Sequence, residues 1–227
     1  MSERTGAPLP LAPIPAALRG VGPVRPPARL PSESTFAWRR ARRILAIRLD
    51  ALGDVLMTTP AFRAIKATSP RAHLALLTSP AGAEAVPLVP ELDEVVVYDA
   101  PWMKATTPRS TPAPDLALVE RLRAGRYDGA IVFTVHSQSP LPAALVAFLA
   151  GIPRRLAHCR ENPYQLLTDW LPEPEPDEPI RHEVRRQLDL VAAAGFRSPD
   201  ERLSVRVPAI AARAVRGLLG ELGVDVR

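Results

Sequence analysis

A glycine and an aspartate, Gly53-Asp54, stand between an apolar run, Ile44 to Leu49, and a helical pattern that begins at Val55. An apolar run of that length reads as a buried strand, so the carboxylate of Asp54 falls at a strand's carboxyl end. In open α/β sheets ligands collect in the crevice at that end. A carboxylate there, close to a helix N-terminus whose dipole favours negative charge, is suited to take a proton from a bound hydroxyl. The same aspartate would also serve as a helix N-cap, and both readings are open at this level. The turn Leu49-Asp-Ala-Leu-Gly-Asp54 lacks the Gly-x-Gly-x-x-Gly spacing of a dinucleotide-binding loop and the Gly-Lys-Ser/Thr ending of a P-loop. With one glycine in the turn, close backbone approach to a pyrophosphate has little support.

The elements that would position this carboxylate alternate along the chain. Strands are predicted at Ile44–Leu49, His73–Thr78, Glu94–Tyr98, Ala130–Thr134 and Arg154–Ala157. Helical patterns lie between or after them at Val55–Thr68, Ala81–Val86, Asp115–Ala124 and Leu141–Ala150, with Pro60 expected in an early turn of the first. A further helix is expected over His182–Ala194 and another over Ala209–Leu222, with a candidate strand at Leu203–Val207 between them. Strands separated by single helices imply an α/β fold: a Rossmann-like parallel sheet with helices on both faces.

Composition limits the alternatives. Of 227 residues 27 are prolines, concentrated near the start and around Pro172 to Pro179. The single cysteine, Cys159, rules out a disulfide within the chain and a cysteine zinc site. It has no partner set for catalysis and reads as an inert thiol. Residues 1–43 carry eight arginines against two glutamates, a net +6, whereas the remaining 184 residues carry 21 basic and 22 acidic side chains, a net −1. The basicity belongs to the leader, and a near-neutral body argues against a nucleic-acid interface. The arginines could touch an anionic membrane surface, but a solvated leader is the simpler reading. No secretory signal is visible, and the strongest apolar run, Ala143 to Ile152, falls well short of the ~20 residues needed to span a bilayer. Residues 1–36 are expected to be a disordered Pro/Arg-rich tail, 37–208 a Rossmann-like domain, and 209–227 a helix and linker.

Several separated segments, in order, resemble one enzyme family. Ile47 to Ala64 (Ile-Arg-Leu-Asp-Ala-Leu-Gly-Asp-Val-Leu-Met-Thr-Thr-Pro-Ala-Phe-Arg-Ala) is similar to the N-terminal signature of glycosyltransferase family 9, the heptosyltransferase-like enzymes. The resemblance continues through Leu74–Pro80, Val89–Val95, Phe133–Pro140, Ala150–Ala157, Cys159–Trp170 and Ile180-Arg-His-Glu183. It implies the N-terminal, acceptor-side domain of a GT-B arrangement, in which two Rossmann-like domains face each other across a cleft. It further implies inverting, metal-independent transfer of a sugar from a nucleotide-sugar, ADP-heptose, to a lipopolysaccharide or related glycan or glycolipid acceptor. No cofactor beyond that co-substrate is implied, and the setting is cytoplasmic, with peripheral inner-membrane contact. Asp54 takes the role of general base. The donor-binding domain would begin just after Val224, so this chain is expected to supply the acceptor side alone. A non-catalytic half that binds glycan or a partner protein is the alternative.

Within that resemblance, further residues are candidates for substrate contact. Gly53 belongs to the Gly-Asp turn. Arg48, on the first strand, would meet an anionic acceptor or sit in an ion pair. His136, Ser137 and Gln138 follow the fourth strand and would hydrogen-bond sugar hydroxyls, with Ser139 before Pro140 as a helix cap. Arg160, Glu161 and Asn162 form a polar loop after the fifth strand, either against the acceptor or in a structural ion pair.

Overall fold

The protein is described here by a computed structural model covering residues 30–104, 106–198 and 200–224. The expectation for the leader therefore lies outside the described residues up to position 29. Six strands form one sheet: β1 (Arg43–Arg48), β2 (His73–Thr78), β3 (Glu94–Val97), β4 (Gly129–Val132), β5 (Arg154–Cys159) and β6 (Asp169–Pro172). Their spatial order is β3-β2-β1-β4-β5-β6, with every neighbouring pair parallel. The chain runs outward from β1 in one direction to β3, then returns to β1's other side for β4 to β6. The order therefore reverses between β1 and β4, the place where a parallel sheet opens a crevice for ligands.

Alternation along each strand fills both faces. On β1, Ile44 and Ala46 point into a core with Trp38, Phe62, Ile65, Phe133, Leu190 and Phe196. These come from α1 (Ser32–Arg39), α2 (Leu52–Thr68) and α6 (Glu183–Ala193), with Phe133 just after β4 and Phe196 just after α6. Leu45 and Ile47 point the other way, against Leu118 and Leu122 of α4 (Ala113–Ala124) and Ala143, Ala144 and Ala147 of α5 (Leu141–Leu149). Helices on both faces of a parallel sheet are what the alternating pattern predicted. A short α3 (Pro80–Ala83) and a 3-10 turn at Val86–Leu88 replace the single helix expected over Ala81–Val86.

Other expectations need correction. Leu30, the first described residue, is buried, and α1 begins at Ser32, inside the segment assigned to the tail. What fixes α1 is Trp38, fully buried, whose indole N–H donates to Asp169 Oδ2 at 3.1 Å. The extra strand is β6, not Leu203–Val207. It carries Asp and Pro and follows β5 through a loop over 160–168 without a helix, so no alternation announces it. Pro172 is tolerated because β6 is an edge strand. Leu203–Val207 is extended but unpaired in the sheet. Its backbone is tied to helix and loop instead, with Ser204 N donating to Thr59 Oγ1 at 2.8 Å and Arg206 N to the Leu88 carbonyl at 2.7 Å.

α2 starts three residues earlier than predicted, which moves Pro60 from an early turn to the middle of the helix. Proline cannot give its missing N–H to the carbonyl of residue i−4. Thr59 Oγ1 supplies that bond, donating to the Leu56 carbonyl at 2.7 Å. The last helix among the described residues, α7 (Ala209–Glu221), buries none of its residues and leaves Ile210, Val215 and Leu218 more than half exposed.

Candidate active site

The turn after β1 opens into a cavity of about 940 Å³ at the carboxyl ends of the strands. Asp50, Ala51 and Asp54 line it from β1, Ser79 and Pro80 from β2, and Thr134, Ser137, Gln138 and Ser139 from β4. Ser79 joins two of these walls: its hydroxyl donates to the Asp50 carbonyl at 2.6 Å and accepts from Gly82 N at 2.9 Å, capping α3. Gly82 packs so closely there that a Cβ would lie 2.1 Å from Thr78 Oγ1.

Asp54 sits in the first turn of α2, and the residue at the N-cap is Ala51. Alanine has no side-chain acceptor, so only the return half of a capping box forms: Asp54 Oδ2 accepts from Ala51 N at 3.2 Å. Asp54 Oδ1 accepts from Arg48 Nη2 at 2.9 Å. A carboxylate offers about four lone-pair positions, so these two bonds leave room for a ligand hydroxyl. Asp54 is therefore not the N-cap that the sequence allowed; it stands at the third helical position, bonds back to the cap residue and faces the cavity.

Arg48, the last residue of β1, is completely buried. Its guanidinium meets three carboxylates. Besides Asp54, Nη1 donates to Glu183 Oε1 at 2.9 Å, and Nε lies 2.9 Å from Asp50 Oδ2 in an ionic contact too bent to be a hydrogen bond. Asp50 Oδ1 accepts from Gln138 Nε2 at 2.6 Å. Burial pushes the Asp50 carboxyl above the ordinary range. Arg48 and Gln138 pull it back down, and the negative neighbours Asp54 and Glu183 add to the rise. Glu183 opens α6 and also accepts from Gln187 Nε2 at 2.5 Å, while that same amide donates to the Thr134 carbonyl at 3.0 Å.

Of the residues expected at the site, the structure brings Asp54, Ser137 and Gln138 to the cavity. Arg48 does not line it: it lies buried in ionic contact with three carboxylates, the ion-pair alternative of the two that the sequence left open. Gly53 is exposed, with no atom within 4 Å of where a Cβ would be, so packing does not require a glycine. His136 turns toward the β6 side, its Nδ1 3.8 Å from Glu175 Oε2. Arg160 donates to the His136 carbonyl at 3.1 Å and to the Glu175 carbonyl, Glu161 accepts from Ser139 Oγ at 2.8 Å, and Asn162 Oδ1 accepts from Tyr164 N at 2.9 Å. Asn162 thus bonds within its own loop, Arg160 and Glu161 tie that loop to the segments after β4 and β6, and none of the three lines the cavity. Cys159 is buried, which pushes its thiol up to about 12.

Sequence reasoning missed Asp50 and Glu183, and it missed the loop after β3, which brings Asp99, Trp102, Lys104 and Thr106 to the cavity. Asp50 was in plain view in the turn itself. Glu183 lies 135 positions from Arg48, and only its membership in the segment Ile180–Glu183 pointed to it. Trp102 packs at a tilt against Tyr98, with ring centres 5.9 Å apart. Nothing in the periodicity of that proline-containing loop signals a cavity wall. Among the described residues no cluster of His, Cys, Asp and Glu is arranged to hold a metal ion, and no helix is long and apolar enough to cross a membrane.

No protein-family model matches the chain. A Haemophilus influenzae protein named "Putative glycosyltransferase" is 30% identical over 115 residues, which make up 51% of this chain and 30% of that protein. The family 9 glycosyl transferase of Veillonella parvula superposes with a TM-score of 0.59 at 18% identity, over 81% of this chain and 50% of that one. The E. coli ADP-heptose lps heptosyltransferase II gives 0.54 at 21% identity, over 81% and 51% respectively. E. coli heptosyltransferase WaaC with ADP-2-deoxy-2-fluoro heptose gives 0.54 at 19%, over 70% and 50%. The chain thus spans about half the length of these solved proteins. It is similar in sequence and in fold to glycosyltransferase family 9, the heptosyltransferase-like proteins.

Proposed function

We propose, from that likeness and from the placement of Asp54, that this chain is the acceptor-binding half of an inverting glycosyltransferase. The observation that carries the reading is a carboxylate with unused acceptor capacity in the wall of a cavity at the sheet's switch point. A glycan acceptor lies in the cavity with one hydroxyl on Asp54. Its proton passes to the carboxylate as the oxygen bonds the anomeric carbon of the donor sugar. The bond from that carbon to the phosphate oxygen breaks on the opposite face, and the nucleoside diphosphate leaves with the electron pair. The configuration inverts. Ser137 and Gln138 offer donors and acceptors to sugar hydroxyls, and Trp102 offers an aromatic face.

The donor in this reading is ADP-heptose, bound by a second domain outside the 227 residues, and the acceptor is a lipopolysaccharide or related glycan. The work is done in the cytoplasm, and the arginines of residues 1–43 favour contact with an anionic inner-membrane surface. The chain's span of about half its relatives' length equally favours a second reading, a half that binds glycan without transferring sugar. The test is to incubate the chain, alone and with the polypeptide encoded immediately downstream, with ADP-heptose and deacylated lipopolysaccharide core. A product heavier by one heptose, with inverted anomeric configuration by NMR, is expected. Retained configuration contradicts the mechanism, and binding of the core without transfer supports the second reading.

A further inference from the structure

We propose that Arg48 is the positioning residue of this site, holding the Asp54 carboxylate in one orientation and tying it to the amino end of α6. The proposal rests on the reading of Asp54 as the base. Two groups compete to orient that carboxylate. Ala51 N reaches Oδ2 at 3.2 Å, a backbone contact at the long limit of N–H···O bonds. Arg48 Nη2 reaches Oδ1 at 2.9 Å, and a hydrogen bond between two charged groups is roughly twice as strong as a neutral one. Arg48 is itself enclosed. It has no exposed surface, and each of its three nitrogens faces a different carboxylate, on Asp50, Asp54 and Glu183.

The three acids come from different parts of the fold. Asp50 lies in the turn after β1 and is held from the β4 side by Gln138. Asp54 lies in the first turn of α2, and Glu183 begins α6. Gln187, one turn further along α6, closes the circuit by bonding both Glu183 and the Thr134 carbonyl beyond β4. A planar guanidinium presents its donors in a fixed fork, so one side chain directs hydrogen bonds at once to Asp54 and to Glu183 at the start of α6, with Asp50 in ionic contact beside them. Lysine, a point charge with freely rotating donors, could balance charge here without fixing both hydrogen-bond directions.

The test uses the isotopically labelled intact chain. In the wild-type protein, three-bond couplings from Asp54 Cγ to the backbone nitrogen and carbonyl should report a single χ1 rotamer. The Arg48 Nη protons should be slowly exchanging, with a hydrogen-bond coupling to the Asp54 carboxylate. In Arg48→Gln combined with Glu183→Gln, which limits the uncompensated charge, the Asp54 couplings should fall to rotamer-averaged values, and Arg48→Lys should restore them incompletely. A single rotamer retained in the double variant would overturn the proposal, since Ala51 would then suffice. Should the double variant not fold, freely rotating Arg48 Nη groups in the wild-type chain would overturn it, and their immobility with the Asp54 coupling would uphold it. None of these readouts depends on sugar transfer, so an Asp54 that is held but not catalytic is told apart from one that is catalytic but not held.

Discussion

His158 gives the account a quantitative handle that is independent of any ligand. It lies on β5 with 3% of its surface exposed, its Nε2 3.1 Å from the Arg186 carbonyl and its Nδ1 without a partner. Burial, and then the Arg186 guanidinium, lower its pKa to about 3. In the unfolded chain a histidine titrates near 6.5. The folded-state value is the depressed one, so this contribution to stability is complete above about pH 6.5 and is lost as pH falls toward 3. In that window the unfolded state binds a proton that the native state refuses, at about 1.4 kcal/mol per pH unit. Between pH 6.5 and pH 5 the loss is about 2 kcal/mol.

Glutamine at this position keeps a donor for the Arg186 carbonyl and does not titrate. Urea unfolding of wild type and His158→Gln at pH 7.5 and pH 5.0 isolates the effect, because His73, His136 and His182 remain in both proteins and cancel in the difference. The wild-type advantage should shrink by about 2 kcal/mol on going to pH 5.0. A difference that stays constant across that range would refute the claim that His158 is buried neutral.

Gly82→Ala should destabilise the fold by about 1–3 kcal/mol in urea, because a Cβ would press on Thr78, Val55 and the Asp50 carbonyl. Gly53→Ala, at an uncrowded helical position, should be neutral or stabilising by up to about 1 kcal/mol in the same assay. Trp38→Phe should cost about 1–3 kcal/mol by removing the donor to Asp169, with hydrogen exchange rising first in β6. Cys159 should stay unreacted toward a disulfide reagent at pH 8 in the native protein and react promptly in urea, since its thiol is buried and pushed up to about 12.

The parts of this fold that could be read from sequence are those in which pattern and packing coincide. β1, β2 and β4 are buried on both faces and appear as short apolar runs, and the helices between them bring enough periodicity to imply parallel pairing. β6 escaped because an edge strand tolerates Asp169 and Pro172, and because its loop brings no helix. Leu203–Val207 misled for the opposite reason. It alternates like a strand but turns Ser204 inward and leaves Leu203, Val205 and Val207 exposed.

The site divides in the same way. Asp54 was legible because strand, turn and helix are contiguous. Arg48 was legible as chemistry but not as direction, since its three partners come from positions 50, 54 and 183. Arg160, Glu161 and Asn162 could be read as acceptor contacts or as a structural ion pair, because residue type alone does not say where a polar loop turns. Here Arg160 and Glu161 bond to the segments after β4 and β6, and Asn162 bonds within the loop.

The most direct test of the account is the pH-dependent rate of heptose transfer by wild type and Asp54→Asn, each combined with the donor-binding half and supplied with saturating acceptor. The asparagine keeps the size of the side chain but cannot take a proton. A fall of about 10²–10⁴-fold in kcat, with acceptor affinity little changed, is the predicted result. A variant within about twofold of wild type across the profile would contradict the assignment of the base, since general-base removal carries at least about 10²-fold.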